Sequence, residues 1–310
     1  MLVYAVKHKD ETTRAKSRSG GIFTALSDQF LNGGVVYGCV LDSEFNAIHI
    51  RVEDKSGRDQ MRGSKYIQSK MGDCFKQVKK DLDEGRKVLF SGTSCQVAGL
   101  YCYLQKDYSN LLCVDIVCHG VPSPKVWHKY LDWISEGKKV TAVDFRNKTD
   151  YGWAAHVETI RMGVDKKDSQ VFKNLFYGHN VLRPSCYECP YKSVHHPGDI
   201  TIADYWGIDN ASPGFNDNKG VSLVLVNTEK GQEYFEKAKN DVEWRETRIE
   251  DSMQHPLIEP EKRPKERDQF WQDFESKDFS YIAKKYGGLT PLWRKAARKA
   301  KHLLKGLISK

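Results

Sequence analysis

The chain has 310 residues, of which 39% are hydrophobic and 29% charged, and its formal net charge is +8. This length can bury a substantial core in one large or two modest domains, and no apolar run approaches the roughly 20 residues that span a bilayer. The N-terminus has no charged leader followed by an apolar core, so we expect a cytoplasmic protein. In that compartment the eight cysteines favour reduced thiols or metal ligands over disulfides.

Most of the net charge lies at the C-terminus, where residues 291–310 hold seven of the 49 Lys and Arg residues and none of the 41 acidic ones. The rest of the chain is nearly neutral, so its charge does not indicate a nucleic-acid partner. Placed on a helix, residues 291–310 show one apolar stripe and a basic remainder. We expect a basic C-terminal helix that either packs on the protein or makes peripheral contact with the inner membrane face through anionic lipid.

A Ser-Gly-Gly turn opens the first clear helix of the chain. Ile22, Leu26 and Phe30 recur at helical spacing, Ser19 is the predicted N-cap, and an Asn-Gly-Gly sequence at residues 32–34 ends the helix. Such a turn can present backbone N–H groups to an anion. An ordinary capped helix start explains the same pattern, and the sequence leaves both interpretations open.

Two alternating segments follow, at residues 35–42 and 47–53, and we expect them to form a pair of strands. A polar loop at residues 62–69 then precedes another predicted helix. The polarity of this loop indicates contact between a ligand and Lys65 or Tyr66.

The strongest pattern begins at Lys87, with a short apolar strand, a helix capped by Thr93 or Ser94, and a second apolar strand that ends at Cys118. This is a βαβ unit, whose strands should be parallel and joined by a right-handed connection. Cys95 lies in the first helical turn after one strand, and Cys118 directly follows the other. The carboxyl ends of parallel strands share one sheet edge, where open α/β folds bind ligands. We therefore expect both cysteines at that edge.

A second pair of cysteines has the spacing of a metal site. Cys186 and Cys189 form a CxxC motif followed by a proline, so that both sulfurs can face one side of a tight turn. With Cys95 and Cys118 they provide the four ligands that a [4Fe–4S] cluster or a structural zinc ion requires. The Cys-Pro ending is typical of ferredoxin cluster motifs, which favours the iron–sulfur cluster.

The other cysteines and two histidines offer alternatives. In a zinc site, His195 or His196 could replace one cysteine ligand. Cysteine is among the residues most often buried, so the remaining thiols are predicted to be structural core residues: Cys39, Cys74, Cys102 and Cys113.

Later segments complete the predicted fold. Residues 143–177 suggest strands and a helix that form a lid or a second layer, and an alternating strand at residues 199–209 runs into Asp204, Tyr205 and Trp206. These three side chains either flank a planar ring or form an aromatic corner of the core. We predict an α/β fold with α+β features, in which a mixed, partly parallel sheet is flanked by helices.

Six motifs, taken together, resemble the coenzyme F(420) hydrogenase/dehydrogenase beta subunit family: SRSGG, GSKYIQS, GTSCQVAGL, VDIVCHGVPSP, RPSCYECPYK and ITIADYWGI. The resemblance covers residues 3–245 and implies an FAD-dependent iron–sulfur oxidoreductase. Members pass electrons between an iron–sulfur chain and a two-electron acceptor, which is the deazaflavin in archaeal members. The resemblance also implies three parts: a flavin-binding part at 1–85, an iron–sulfur and flavin part at 86–250, and a helical basic extension at 251–310.

The family's functional residues can be carried over position by position. Its cluster cysteines fall on the four already identified: Cys95, Cys118, Cys186 and Cys189. Its flavin-contacting segments fall on two stretches, which contain Arg18, Ser19, Gly20, Gly21, Gly63, Ser64, Lys65, Tyr66 and Gln68. By this resemblance the Ser-Gly-Gly turn and Arg18 would meet the FAD phosphates, and Lys65 would lie near the flavin ring. Many relatives have proline at the position of Ser94, but the adjacent cysteine is kept.

A second departure concerns the source of electrons. Many bacterial relatives carry an N-terminal ferredoxin domain that this sequence does not include, so we expect a separate ferredoxin-like donor, unless the chain is a fragment of a longer protein. It would dock at a basic rim containing Arg183, Lys192 and His195. Relatives of this type are similar to proteins of exopolysaccharide synthesis, so the small-molecule acceptor stays open. The alternative is a zinc-stabilised accessory protein of a glycan-biosynthesis system, without redox activity.

Overall fold

The computed structural model describes residues 1–289, so the predicted amphipathic helix at 291–310 lies outside the described residues and stays a prediction. Among residues 1–289, no helix is both long enough and apolar enough to cross a membrane.

The chain contributes eleven strands to two sheets within the described part. In chain order they are β1 Leu2–His8, β2 Val35–Leu41, β3 Ala47–Val52, β4 Val88–Thr93, β5 Leu111–Ile116, β6 Ala142–Asp144, β7 Glu158–Met162, β8 Asp165–Ser169, β9 Ile200–Asp204, β10 Ser222–Val226 and β11 Val242–Thr247.

Twelve α-helices are present in the same residues. They are α1 Glu11–Lys16, α2 Ile22–Asp28, α3 Lys55–Asp59, α4 Cys74–Asp83, α5 Ser94–Leu104, α6 Pro124–Ser135, α7 Lys148–Tyr151, α8 Val171–Tyr177, α9 Ile208–Ala211, α10 Glu229–Ala238, α11 Arg267–Ser276 and α12 Phe279–Lys285.

Contacts divide the chain into two compact units whose segments alternate along the sequence. The first unit consists of residues 1–124, 145–156 and 183–261, and the second contains the rest. The segment at 145–156 therefore returns to the first unit from within the region that the sequence suggested as a lid or second layer. The three predicted parts of the chain stay predictions.

The first unit is built on an eight-stranded mixed sheet with the order β11-β1-β10-β9-β5-β4-β2-β3. Strands β2, β4, β5 and β9 run parallel to one another, while every other neighbouring pair is antiparallel. This confirms the predicted α/β class and the partly parallel sheet. The antiparallel pairing of β2 with β3 is also as predicted.

The predicted βαβ unit is β4, α5 and β5. The two strands pair in parallel over their whole length, from Val88 opposite Leu111 to Thr93 opposite Ile116. Thr93 is the N-cap of α5, as expected, and its backbone N–H donates to Oε1 of Gln96 at 2.9 Å. The strand thus passes directly into the helix that carries Cys95.

Helices cover both faces of this sheet because its central strands are apolar on both sides. On one face Leu89 and Leu112 belong to the buried cluster that includes Phe30 of the α2 end and Phe235 of α10. On the opposite face Phe90 and its neighbours pack against buried side chains of α4 and α5. The successive residues of β4 therefore point alternately into two cores, which is why the strand reads as a continuous apolar run.

The second unit contains a three-stranded antiparallel sheet with the order β6-β7-β8 and most of α6, together with α8, α11 and α12. Its core is aromatic. Trp127 packs edge-on against Phe172, with ring centroids 4.8 Å apart, and Tyr130 lies 5.4 Å from the same ring.

Candidate cofactor site

The four predicted ligand cysteines lie on three segments of the first unit. Cys95 is exposed in the first turn of α5, and Cys118 is half-buried just after β5. Cys186 and Cys189 are half-buried at a short 3-10 helix, Pro184–Glu188. The backbone N–H of Arg183 donates to the carbonyl of Val121 at 2.9 Å, which holds the CxxC segment beside the loop that follows Cys118.

The pKa values of these cysteines influence one another. Burial raises the pKa of Cys118 to about 12; Lys192 opposes this effect, while the thiols of Cys186 and Cys95 add to it. The pKa of Cys186 is also raised by burial, with further increases from Cys189 and Cys95. These effects link the four thiols electrostatically. Their assignment as the ligands of one metal centre stays a prediction.

Four cysteines match two kinds of metal site in number and chemistry. A structural zinc ion takes four tetrahedral ligands, and a [4Fe–4S] cluster takes one cysteine on each of its four iron atoms. Within residues 1–289, no three cysteine sulfurs lie within 4.8 Å of one another. The choice of the cluster over zinc stays a prediction.

Lys192 lies among these sulfurs rather than on a surface rim. Its side chain is buried, its ammonium donates to the carbonyl of His119 at 3.0 Å, and burial lowers its pKa, while nearby Cys118 opposes the decrease. The prediction that Lys192 belongs to an exposed basic rim was therefore wrong, because its ammonium is buried and bonded to a backbone carbonyl. Arg183 and His195 are exposed, as a rim requires.

The remaining cysteines follow the prediction with one exception. Cys74 and Cys113 are buried and Cys39 is half-buried, but Cys102 is exposed. Cys102 lies two turns beyond Cys95 on α5 and shares its outward face, so the prediction of a buried thiol was wrong. A helix packed on a sheet buries only one side.

The Ser-Gly-Gly turn is already engaged by the protein. The Gly20 N–H donates to Oγ of Ser222 at 2.9 Å, its carbonyl accepts from the His8 N–H at 2.7 Å, and the Ser19 hydroxyl donates to the carbonyl of Val221 at 2.6 Å. The N-cap of α2 is Gly21, at φ +93°, and not Ser19 as predicted. The turn packs against β10, so the Gly20 amide is not available to an anion as the sequence suggested.

Both predicted flavin segments meet the returning segment at 145–156. Arg18 donates to the carbonyls of Arg146, at 2.8 Å, and Trp153. Arg146 in turn donates to the Asp204 carboxylate at 2.6 Å and to the Tyr66 hydroxyl at 3.2 Å. The structure therefore connects Arg18 with Tyr66 through Arg146, whose carbonyl accepts from Arg18 and whose buried guanidinium donates to Tyr66, and the sequence did not indicate this.

Lys148 adds another cation to this region. Its ammonium donates to the carbonyls of Arg14 at 2.7 Å and Lys219 at 2.9 Å. Burial lowers its pKa to about 8, and the positive charges of Arg18 and Arg14 contribute to the decrease. Such mutual repulsion among buried cations would be relieved by a bound anion.

The loop at residues 62–69 is held at two points. The Lys65 ammonium donates to four consecutive carbonyls, those of residues 60–63, at 2.8 to 3.1 Å, and burial lowers its pKa to about 8. The Gln68 N–H donates to the carbonyl of Pro122 at 3.2 Å, so this loop adjoins the segment after Cys118. Gly63 and Ser64 are exposed.

The aromatic segment after β9 divides between core and surface. Tyr205 is fully buried and its hydroxyl donates to Oγ1 of Thr247 at 2.9 Å. Trp206 is 37% exposed and stacks on Trp153, with ring centroids 4.9 Å apart and an angle of 13° between planes. The Trp153 indole N–H donates to Asp204 at 2.8 Å. Trp206 could therefore flank a planar ligand, and Tyr205 could not.

The sequence did not identify Arg146, Lys148 or Trp153 as site residues. They occur in a stretch whose pattern indicated only strands and a helix. The density of basic and aromatic residues around Arg146 was the available signal, but it is common on protein surfaces. Only the return of the chain to the first unit shows that these side chains are central.

Comparisons with known proteins agree with this architecture. A family model that describes the C-terminal part of the beta subunit of coenzyme F(420) hydrogenase/dehydrogenase matches residues 85–252. A chain in the xenon-derivatised F(420)-reducing [NiFe] hydrogenase complex from Methanosarcina barkeri is similar at a TM-score of 0.52 and 18% identity, over 79% of this chain and 81% of that chain. At this identity the likeness shows the fold alone. The search of curated proteins found no match.

The fold defines an α/β protein with a mixed, partly parallel sheet. Because the family model matches more than half of its length, the chain belongs to the coenzyme F(420) hydrogenase/dehydrogenase beta subunit family, as its motifs predicted. This membership points to an oxidoreductase.

We predict that Gly20→Ala destabilises the protein. A Cβ at this position would lie 2.0 Å from the Val6 carbonyl oxygen and 2.6 Å from the Ser222 nitrogen, and overpacking of this kind typically costs about 1–3 kcal/mol or more. Denaturant unfolding monitored by circular dichroism measures the loss. Gly99→Ala in α5 is the control, because its Cβ would meet only Phe75 at 3.5 Å and a helical Gly-to-Ala change gains about 0.5–1 kcal/mol. Equal stability of Gly20→Ala and the native chain would contradict the packing of the turn.

Proposed function

We propose that the protein is an FAD-dependent iron–sulfur oxidoreductase that passes electrons between a ferredoxin-like donor and a two-electron acceptor. The observation that supports the proposal is the mutual effect of Cys95, Cys118 and the CxxC pair on their pKa values, together with the Gln68–Pro122 hydrogen bond, which joins the predicted flavin loop to the segment after Cys118. Electron transfer between two cofactors requires them to be close neighbours, and in this proposal the hydrogen bond keeps their binding segments together.

The cysteine side chains would hold the cluster. When bound, a [4Fe–4S] cluster accepts and releases single electrons, and FAD exchanges one or two. Because the pKa values of Cys118 and Cys186 are raised, their thiols hold their protons more strongly. Each thiol must lose its proton to bind a metal, and a bound metal centre promotes that loss. The Lys192 ammonium beside them stabilises negative charge on the sulfurs.

The cationic and aromatic region would bind FAD. Arg18 and Lys148 provide positive charge for a pyrophosphate, and the exposed Trp206 indole offers a face for a planar ring. Lys65 orders the loop by joining four carbonyls, so in this proposal it shapes the flavin site and supplies positive charge that favours a reduced flavin. A role in polysaccharide biosynthesis is part of the proposal on the strength of the resemblance alone.

A zinc-stabilised accessory protein is the competing function. It would use the same four cysteines for folding and would have no visible absorbance. Metal analysis of protein purified without oxygen separates the two functions.

We predict that serine at any one of the four ligand positions abolishes the broad visible absorbance of the cluster, because one iron atom then loses its thiolate ligand. The variants are Cys95→Ser, Cys118→Ser, Cys186→Ser and Cys189→Ser. Iron analysis and absorbance spectra of anaerobically reconstituted protein measure the loss. Cys102→Ser and Cys39→Ser are matched controls and should keep full absorbance. Stoichiometric zinc without iron in the native protein would show that the cluster assignment is incorrect.

We predict that Arg18→Ala and Lys65→Ala each weaken flavin retention several-fold, since the first removes a cation and the second frees the loop. Bound flavin is measured by absorbance after gel filtration, with exposed Lys80→Ala on α4 as control. Flavin retention by the native protein should also fall as the pH rises through about 8, where the Lys65 and Lys148 ammonium groups lose their protons. Full flavin content and unchanged reduction kinetics in both variants would remove these residues from the site.

We predict that a reduced ferredoxin reduces the bound flavin much faster than NADH does. The exposed Arg183 and His195 near the CxxC motif suit an acidic partner, so Arg183→Glu should slow the reaction with ferredoxin while leaving reduction by dithionite unchanged. Stopped-flow absorbance measures both rates. Equal rates with NADH and ferredoxin would argue against a separate protein donor.

A further inference from the structure

A buried polar network lies among the cysteine-bearing segments. Nδ1 of His196 is 3.1 Å from Oδ2 of Asp115 and 3.0 Å from Oγ of Ser94. The side chains of His196 and Asp115 are 1% and 0% exposed, and Ser94 is buried as well. All three residues belong to the first unit.

The hydrogen bonds fix how this network is arranged. The Asp115 carboxylate lies against Nδ1 of the His196 ring. Ser94 meets the same nitrogen. A serine nucleophile would instead need the opposite ring nitrogen, with the carboxylate on Nδ1. The three residues therefore do not form a nucleophilic triad.

Two atoms of the network have no hydrogen-bond partner among the described residues, namely Oδ1 of Asp115 and Nε2 of His196. Buried polar groups are nearly always paired, and each exception calls for an explanation. Replacing such a pair by apolar side chains is often neutral or stabilising. A partly satisfied network of this kind costs folding free energy, so stability alone does not account for it.

The position of the network supplies the explanation. Ser94 immediately precedes Cys95, Asp115 lies three residues before Cys118 in β5, and His196 lies seven residues after Cys189. Each member thus belongs to a different one of the three segments that bring in the cysteines. The side chain of His196 joins the three segments through its hydrogen bonds to Ser94 and Asp115.

We infer that His196 is a positioning residue for the four-cysteine site, and that the buried Asp115 carboxylate places a fixed negative charge beside the centre that this site holds. The second half rests on the proposed function. Three residues of extended chain span at most about 11 Å, so the Cα atoms of Asp115 and Cys118 lie within that distance, and a charge on Asp115 would act through a low-dielectric interior. A negative charge there disfavours the addition of an electron, so Asp115 lowers the reduction potential of the centre.

The experiment compares Asp115→Asn, His196→Gln and Ser94→Ala in the full chain. In metal-free protein, the alkylation rate of each cysteine by iodoacetamide is followed by mass spectrometry. In protein reconstituted with iron and sulfide, the midpoint potential is measured by anaerobic redox titration monitored by electron paramagnetic resonance. Asp81→Asn is the control, since Asp81 is also a buried carboxylate but binds Tyr37 and Arg51.

We expect iodoacetamide to alkylate Cys118 several-fold faster in His196→Gln than in the native protein, because the segments are no longer joined. We expect a smaller increase of this rate in Ser94→Ala. We expect a positive shift of the midpoint potential in Asp115→Asn but none in His196→Gln, which keeps the carboxylate. A purely structural role would instead lower cluster content in both variants without separating their potentials. Asp81→Asn should leave both measurements unchanged.

Unchanged alkylation in His196→Gln overturns the positioning role, and an unchanged potential in Asp115→Asn overturns the role of the charge. If Asp115→Asn does not fold, His196→Gln and Ser94→Ala still test the positioning role. If the native protein takes up no iron, the proposed function fails and the charge role fails with it, whereas the alkylation rates of the metal-free variants still decide the positioning role.

Discussion

The parallel pairing of β4 with β5 is the constraint on which the rest of the site depends. Parallel strands end at the same edge of a sheet, so the residues that follow them meet even when they are distant in sequence. Here the pairing brings the start of α5, with Cys95, next to the loop that carries Cys118. Strand β9 pairs in parallel on the other side of β5 and delivers Asp204 and the aromatic segment to the same edge. The CxxC segment precedes β9, and it is held near the Cys118 loop by the hydrogen bond from the Arg183 N–H to the Val121 carbonyl.

A second constraint is the buried guanidinium of Arg146. A buried cation is tolerated only when it is paired and hydrogen-bonded, and Arg146 satisfies this through the Asp204 carboxylate and surrounding oxygen atoms. Those bonds hold residues 145–156 in the first unit, where Arg18 also reaches their carbonyls. The same contacts that satisfy one charge thus assemble the predicted flavin segments, and their loss would separate the segments as well as leave an unpaired charge.

The four cysteines illustrate what the proposed metal site would cost without its metal. Burial and mutual repulsion oppose ionisation of Cys118 and Cys186, while Lys192 and backbone hydrogen bonds from Gly120 and Val121 favour it. Ligation to a cationic centre would remove this penalty, since thiolates are the ligating form. Asp115 and His196 also carry a cost, because each has a buried polar atom without a hydrogen-bond partner among the described residues. Packing alone would favour apolar side chains at these two positions.

The sequence by itself determined the βαβ unit, the class of fold and the family. These depend on hydrophobic periodicity and on short motifs, which are properties of neighbouring residues. It did not determine that the Gly20 amide is bonded to Ser222, that Lys192 is buried or that Cys102 is exposed. Nor could it place Arg146 at the centre of the site. Each of these depends on which distant segment packs against the residue, and that was decided only by the tertiary structure, since burial and hydrogen-bond partners are set by contacts between segments far apart in the chain.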